Sequence, residues 1–146
     1  MPGRTAFFDT SAVVPLCLAQ SSSQRARQVY RSFSGQVVAR TTLIEAASVV
    51  HRAVRLGQLN TVRVKGAIDR LAQLDKRWIE MALTDAARAL AVDILARYDL
   101  RAGDAIQLAS ALIWCKEHPR NRPFVCFDER LSSAAGGAGF DVIPGQ

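Results

Sequence analysis

The 146-residue sequence has few of the residues that build several common kinds of site. It holds two histidines and three cysteines, with no C-x-x-C pair, which argues against a zinc site. No apolar run approaches the roughly 18 residues that a membrane span needs. The apolar run before Asp9 is too short for a signal peptide. No G-x-x-x-x-G-K-[ST] motif occurs, so a phosphate-cradling nucleotide loop is not expected.

The three cysteines are an odd number, far apart and in apolar surroundings. They are Cys17, Cys115 and Cys126. This pattern predicts three reduced, mostly buried thiols in a cytoplasmic protein.

The composition is that of a soluble globular domain. Hydrophobic residues make up 49% and charged residues 22%, which excludes a disordered chain, and the length suits one domain over residues 1–146. The net charge is +6, but residues 1–77 hold twelve basic and only four acidic side chains. Two interpretations compete: the basic residues form a rim that binds a phosphate backbone, or they lie on helix faces that only meet solvent. The asymmetry favours the first. Few aromatic residues lie on those helices, so stacking of single-stranded bases there is not evident.

Strand-like and helix-like segments alternate along the chain. The predicted strands are 5–8, 36–40, 77–83, 124–127 and 140–143. Helices are predicted over 11–19, 22–33, 42–56 and 104–115, after residues 60 and 84, and over 128–135, with a loop at 136–139. In the helix after Thr84, Leu95 is expected to face inward with its apolar neighbours. The alternation predicts an α/β fold with a mainly parallel sheet of about five strands.

Four carboxylates stand at positions where parallel strands lead into helices. Asp9 and Asp128 each follow an apolar strand, Glu45 lies in the first turn after the second strand, and Asp104 opens an uncharged helix. The carboxyl edge of such a sheet is the usual ligand site. Four converging negative charges would repel one another, and a divalent cation such as Mg²⁺ or Mn²⁺ would remove that repulsion.

Each acid also has a purely structural interpretation. Asp9 can cap the following helix, and Thr42 with Glu45 forms a capping-box pattern. Asp104 and Asp128 can favour helix N-termini through the helix dipole. Taken singly these interpretations are the stronger ones, whereas the set of four favours a metal site.

Four segments, in this order, resemble the motifs of PIN-domain proteins, and most closely those of VapC-type toxins of toxin–antitoxin pairs: FDTSA (8–12), TLIE (42–45), RAGDAIQLASA (101–111) and FDERL (127–131). The resemblance implies an α/β/α sandwich that cleaves RNA, with one or two Mg²⁺ or Mn²⁺ ions among Asp9, Glu45, Asp104 and Asp128. Members of the family carry a hydroxyl beside the first acid, and the resemblance places it on Ser11, or less well on Thr10. Two positions depart from the family pattern, because Cys126 replaces Ser or Thr and Gln107 replaces His.

The mechanism expected from these residues is metal-assisted hydrolysis of a phosphodiester bond. Asp9, Asp104 and Asp128 would hold the metal, Glu45 would ligate through water or position the attacking water, and Ser11 would orient a carboxylate or phosphate oxygen. Neither histidine is expected to be catalytic; they are His51 and His118.

The resemblance also implies protein partners. We expect a cognate antitoxin and a homodimer, with no membrane association. The helices over 22–33 and 42–56 could form a groove for a partner helix. Candidate groove residues are Val49, Val50, Val54, Leu56 and Leu59, and the stronger alternative is that most of them simply belong to the core.

Two other functions compete with the nuclease interpretation. A phosphatase with Asp9 as nucleophile is disfavoured, because Ser11 stands where such enzymes carry a second aspartate. A non-catalytic module that binds nucleic acid or protein could keep the same fold, but the full set of acids argues against it. The RNA that is cut does not follow from the sequence.

Overall fold

Five parallel strands form one sheet in the order β3-β2-β1-β4-β5 in the computed structural model, which describes residues 3–146. The strands are β1 (Thr5–Phe8), β2 (Gly35–Ala39), β3 (Ile79–Met81), β4 (Pro123–Val125) and β5 (Asp141–Ile143). Every pairing between neighbours is parallel. The predicted α/β fold with a five-stranded parallel sheet is confirmed.

Seven helices are found in the described part of the chain, and they connect and cover the strands. They are α1 (Thr10–Cys17), α2 (Ser23–Arg31), α3 (Thr42–Arg55), α4 (Thr61–Asp75), α5 (Asp85–Arg97), α6 (Ala102–Trp114) and α7 (Glu129–Ala138). Among the helices of residues 3–146, none combines the length and apolar character needed to cross a membrane.

Apolar clusters pack on both faces of the sheet, because successive side chains of a strand point to opposite faces. Phe7 belongs to the cluster beneath α5, α6 and α7, where its ring stacks on Phe124 with centroids 5.4 Å apart. Phe8 belongs to the cluster beneath α1, α2 and α4. This two-sided burial explains why β1 reads as a continuous apolar run.

The predicted loop at 136–139 was wrong, because α7 continues to Ala138. Ala134 and Ala135 are buried in the core, whereas Gly136 and Gly137 are exposed. The buried alanines hold α7 against the core, and the helix continues through the two glycines despite their low helix propensity. The helix ends at Gly139, whose φ of 111° is left-handed.

Two finer predictions were also wrong, and for Val50 the core alternative is the correct one. Val50 is fully buried, so it is a core residue and cannot line a groove for a partner. Leu95 is 43% exposed on α5 rather than inward. The side chain of Glu45 does not complete a capping box: Thr41, not Thr42, is the N-cap of α3, and Glu45 turns toward other partners.

Candidate active site

Asp9 and Asp128 follow two neighbouring strands, so both lie at the carboxyl edge of the sheet. Phe8 of β1 pairs with Val125 of β4, and the Asp9 amide donates to the Val125 carbonyl at 2.9 Å. Asp9 is the N-cap of α1, and Asp128 is the N-cap of α7, accepting from the Leu131 amide at 2.8 Å. The cap interpretation is thus correct for both acids, and it leaves them at the edge where a ligand can reach the sheet.

The Asp9 carboxylate is 4% exposed and is held by its neighbours. Its Oδ2 accepts from the Ser11 amide at 3.0 Å and from the Ser11 hydroxyl, and the Cys126 thiol lies 3.6 Å away. Burial raises the pKa of Asp9 from 3.8 to about 6, against the lowering effect of the Ser11 hydrogen bonds. The charges of Glu45 and Asp104 raise it further, which indicates that the three carboxylates share one negative region.

Glu45 enters this region from α3 and is fixed by three donors. Its Oε2 accepts from the Gln107 amide, from Thr10 at 3.0 Å and from Thr41 at 3.3 Å. Burial raises the pKa of Glu45, these hydrogen bonds lower it, and the charge of Asp104 raises it. Glu45 is therefore held in this acidic region through one of its two carboxylate oxygens, Oε2.

Gln107 connects the elements that carry the acids. It is 1% exposed on α6, and its amide nitrogen lies 3.0 Å from the Thr42 hydroxyl and 3.1 Å from the Thr10 hydroxyl. Its Oε1 is buried with no hydrogen-bond partner among residues 3–146. Gln107 thus supplies the donor that holds Glu45, at a position where the resembled family often carries histidine.

Asp104 lies in the first turn of α6, where Gly103 lets the helix come close to Glu45. A Cβ at Gly103 would lie 2.8 Å from Glu45 Oε1. Burial raises the pKa of Asp104, and the charge of Asp128 raises it further, while Arg101 and Arg130 lower it. Electrostatic coupling therefore extends from Asp9 through Asp104 to Asp128.

A cleft of about 560 Å³ opens beside the last two acids. Its walls are Arg101, Gly103, Asp104, Asp128 and Arg130. Arg130 also approaches Asp99 at 3.9 Å, an exposed pair of little energetic weight. Two carboxylates facing two guanidinium groups can bind a metal ion on one side and a phosphate on the other.

The donor chemistry of these residues fits a divalent cation of the Mg²⁺ type. Within residues 3–146, no salt bridge involves Asp9, Glu45, Asp104 or Asp128, and burial raises the pKa of the first three. Carboxylate oxygens that form no salt bridge are donors that such an ion accepts. In the side-chain positions described for 3–146, however, no group of three His, Cys, Asp or Glu residues is close enough to hold a metal directly. The metal-ligand roles of these acids therefore stay a prediction.

Some contributors could not be identified from the sequence. Arg101 and Arg130 flank two of the acids in the motifs, but surface arginines are common and nothing marked these two. Ser11 lies as expected beside Asp9, and Thr10 is used as well, because it donates to Glu45. The Cys126 thiol approaches both Asp9 and the Asp128 carbonyl, and neither histidine takes part in these contacts.

The family model for the PIN domain matches residues 6–137, and the chain therefore belongs to the PIN-domain family. No curated protein matches the chain significantly. The membership agrees with the parallel sheet and with the acids at its carboxyl edge.

Solved structures of low sequence identity share the fold over nearly the full chain. A toxin–antitoxin complex from Klebsiella pneumoniae has a TM-score of 0.66 and 17% identity, covering 97% of this chain and 98% of that one. VapC20 of Mycobacterium tuberculosis, described as a toxin that cleaves the sarcin–ricin loop, has a TM-score of 0.66 and 18% identity, covering 90% and 95%. FitAcB of Neisseria gonorrhoeae has a TM-score of 0.64 and 16% identity, covering 94% and 97%.

Proposed function

We propose that the protein is a ribonuclease dependent on Mg²⁺ or Mn²⁺, and that it is the toxin of a type II toxin–antitoxin pair. The observation that carries the proposal is the row of coupled carboxylates that ends in a cleft with two arginines. A phosphodiester suits both features, since metal ions and guanidinium groups neutralise the same phosphate.

Each residue has a distinct role in the proposed reaction. Asp9, Asp104 and Asp128 would hold the metal, which when bound polarises the phosphate and lowers the pKa of water. Glu45 Oε1, the oxygen opposite the one bonded by Gln107, would orient the attacking water. Ser11 keeps Asp9 in place through its hydroxyl.

The two arginines and the basic helices would bind the RNA itself. Arg101 and Arg130 would contact the phosphate in the cleft. The positive surplus of residues 1–77 would attract the backbone at longer range. The protein would act in the cytoplasm, where its three thiols stay reduced.

The toxin assignment draws on the neighbours of the same fold, two of which are described as toxins or toxin–antitoxin complexes. Exposed apolar side chains offer surface for an antitoxin and for a second copy of the chain. They lie on α3 and α4 and after α3: Ile44, Val49, Leu56 and Val62. They are the side chains that the proposed antitoxin-bound homodimer would cover.

Cleavage of total RNA tests the nuclease proposal. We expect cleavage with Mg²⁺ or Mn²⁺, none in excess chelator, and none with Ca²⁺, which prefers more ligands at longer distances. Asp104→Asn should abolish cleavage and leave the metal-free fold at least as stable, because it removes one of several like charges. Full cleavage in chelator would disprove the mechanism. An intact fold that never cuts RNA would favour the non-catalytic binding module.

Expression in a bacterial host tests the toxin proposal separately. Wild type should arrest growth and Asp9→Asn should not, while the small reading frame next to the gene should restore growth and co-purify with the protein. Harmless expression of wild type that is active in vitro would exclude the toxin role and leave the nuclease role. Size-exclusion chromatography of the purified complex reports whether two copies are present.

A further inference from the structure

A second cavity, of about 590 Å³, adjoins the acidic cleft, because Asp128 lines both. It lies between the α1–α2 connection, the segment after β4 and the last three residues of the chain. The lining residues that matter most are Ser22, Phe127, Asp128, Ser132, Gly145 and Gln146. The cavity is therefore next to the place where, under the proposed function, a phosphate of the RNA would bind.

The cavity walls are held by specific contacts. The Ser23 hydroxyl, on a residue only 6% exposed, accepts from the Gln20 amide at 2.9 Å and donates to the Leu18 carbonyl at 3.0 Å. These bonds fix the connection that carries Ser22. On the opposite side, two nitrogens of Arg25 donate to the Pro144 carbonyl, each at 3.3 Å.

The Phe127 ring is packed directly against the C-terminal segment. A Cβ at Gly145 would lie 2.9 Å from the Cγ atom of Phe127, so only glycine allows this approach. The Phe127 amide is in turn held by the Ser11 hydroxyl at 2.9 Å. Phe127 therefore forms an aromatic wall of the cavity, and its position is fixed by Gly145 on one side and by the Ser11 hydroxyl on the other.

The lining chemistry favours a neutral, flat group that donates hydrogen bonds. Among residues 3–146, no lysine or arginine lines the cavity, while Asp128 and Glu129 do, and the guanidinium of Arg25 is engaged by the Pro144 carbonyl; this lining disfavours a phosphate there. The Ser132 hydroxyl already donates to the Cys126 carbonyl at 3.1 Å, which leaves its oxygen as an acceptor. An aromatic side chain beside several acceptors matches a nucleobase that presents N–H groups, as guanine does.

We propose that this cavity binds one nucleobase of the RNA substrate beside the acidic cleft and so determines which sequence is cut. The inference rests on the proposed ribonuclease function for its biological role. It names the class of ligand, an unpaired base recognised at its N–H edge, and the residues that select it, chiefly Phe127 and Ser132.

Nucleoside binding tests the cavity without any cleavage. Guanosine, adenosine, cytidine and uridine are titrated into metal-free wild type, with the ring signals of Phe127 followed by NMR. We expect guanosine to bind most tightly. Gly145→Ala, which displaces the Phe127 ring, should weaken it at least about tenfold, and Ser132→Ala about fivefold, the effect of one hydrogen bond. The matched control Ser133→Ala, on the exposed neighbouring residue, should bind guanosine like wild type.

Mapping the cut sites in a randomised RNA pool supplies the second measurement. Gly145→Ala and Ser132→Ala should flatten the base preference beside the cut and leave the metal requirement unchanged. If nucleosides fail to shift the Phe127 signals of wild type, or bind wild type and both variants equally, the inference is overturned even where RNA is cleaved. If guanosine binds as expected but wild type never cuts RNA, the ribonuclease proposal fails and the base-binding cavity stands.

Discussion

The Ser11 hydroxyl accepts a hydrogen bond from the Phe127 amide at 2.9 Å, across the ends of the neighbouring strands β1 and β4. The same hydroxyl donates to Asp9 Oδ2. One small side chain therefore ties the first acid to the segment that carries the last acid, Asp128. Its contribution is structural and, under the proposed function, catalytic as well.

Removing this hydroxyl should affect stability and activity together. We expect Ser11→Ala to lower the free energy of unfolding by about 1–3 kcal/mol, because a backbone amide and a buried carboxylate both lose a partner. RNA cleavage should also fall, since Asp9 is no longer held. Urea unfolding and kcat/KM measure the two effects. Ser133→Ala, at an exposed position, should change stability by less than about 0.5 kcal/mol, and equal effects of both variants would contradict the assigned role.

The edge position of Asp9 and Asp128 could be predicted, because Asp9 directly follows β1, Asp128 comes three residues after the end of β4, and parallel strands end at the same edge. The strand order that makes them neighbours came from the structure alone. Local pattern carries no information on which strands pair, since pairing depends on contacts distant in sequence. The metal-ligand roles of the acids stay a prediction.

Glu45 shows where local reasoning fails. The T-x-x-E pattern is the same whether the glutamate turns back to its own helix or inward. Here Gln107 and Thr10, which lie on other helices, donate hydrogen bonds to Glu45 and hold its side chain inward. Likewise Gly136 and Gly137 look like a loop in sequence, but they continue the helix whose Ala134 and Ala135 are buried in the core. In both cases tertiary contacts override a local preference.

The metal-free protein should lose stability as the pH rises from about 4 to about 6. Burial raises the pKa of Asp9 from 3.8 to about 6, so the folded state holds this proton more tightly than the unfolded chain does. The unfolded chain therefore gives up its proton first, and the cost to the fold is complete above pH 6. The difference between the two pKa values of Asp9, 3.8 and about 6, corresponds to a loss of about 3 kcal/mol in the free energy of unfolding. The raised pKa values of Glu45 and Asp104 act in the same direction.

Asp9→Asn isolates this contribution, because asparagine does not titrate. The difference in unfolding free energy between the variant and wild type, measured in chelator, should grow in favour of the variant from pH 4 to 6 and then level off. Adding Mn²⁺ at pH 7.5 should raise the Tm of wild type and leave that of Asp9→Asn nearly unchanged. A constant difference across the whole pH range would show that Asp9 titrates normally.

The three thiols should react slowly in the folded protein. All are free, Cys115 and Cys126 are buried and Cys17 is half-buried. Burial raises the pKa of Cys126 to about 12 and that of Cys17 to about 11, so little thiolate exists at pH 8. Mass spectrometry after iodoacetamide treatment should find Cys17 labelled first and all three labelled rapidly in urea. Fast labelling of Cys126, or a disulfide in unreduced protein, would contradict this expectation.

A methyl group at position 103 should disturb the site without unfolding the protein. A Cβ there would lie 2.8 Å from Glu45 Oε1, while Gln107, Thr10 and Thr41 hold the other oxygen of that carboxylate. Glu45 must then shift and give up part of its hydrogen bonding. We expect Gly103→Ala to reduce kcat/KM for RNA cleavage by roughly 10–100-fold, as small misplacements of catalytic groups do. The alanine in the first turn of α6 offsets part of any stability loss through its helix propensity.

Gly66→Ala is the matched control, because it makes the same change within α4 where a Cβ meets no atom within 4 Å. This variant should gain about 0.5–1 kcal/mol of stability and cleave RNA at the wild-type rate. Comparing both variants by thermal unfolding and by cleavage separates the helix effect from the contact with Glu45. Full activity of Gly103→Ala would mean that the observed position of Glu45 is not the one used in the reaction, and Glu45 would then lose its assigned role in orienting water.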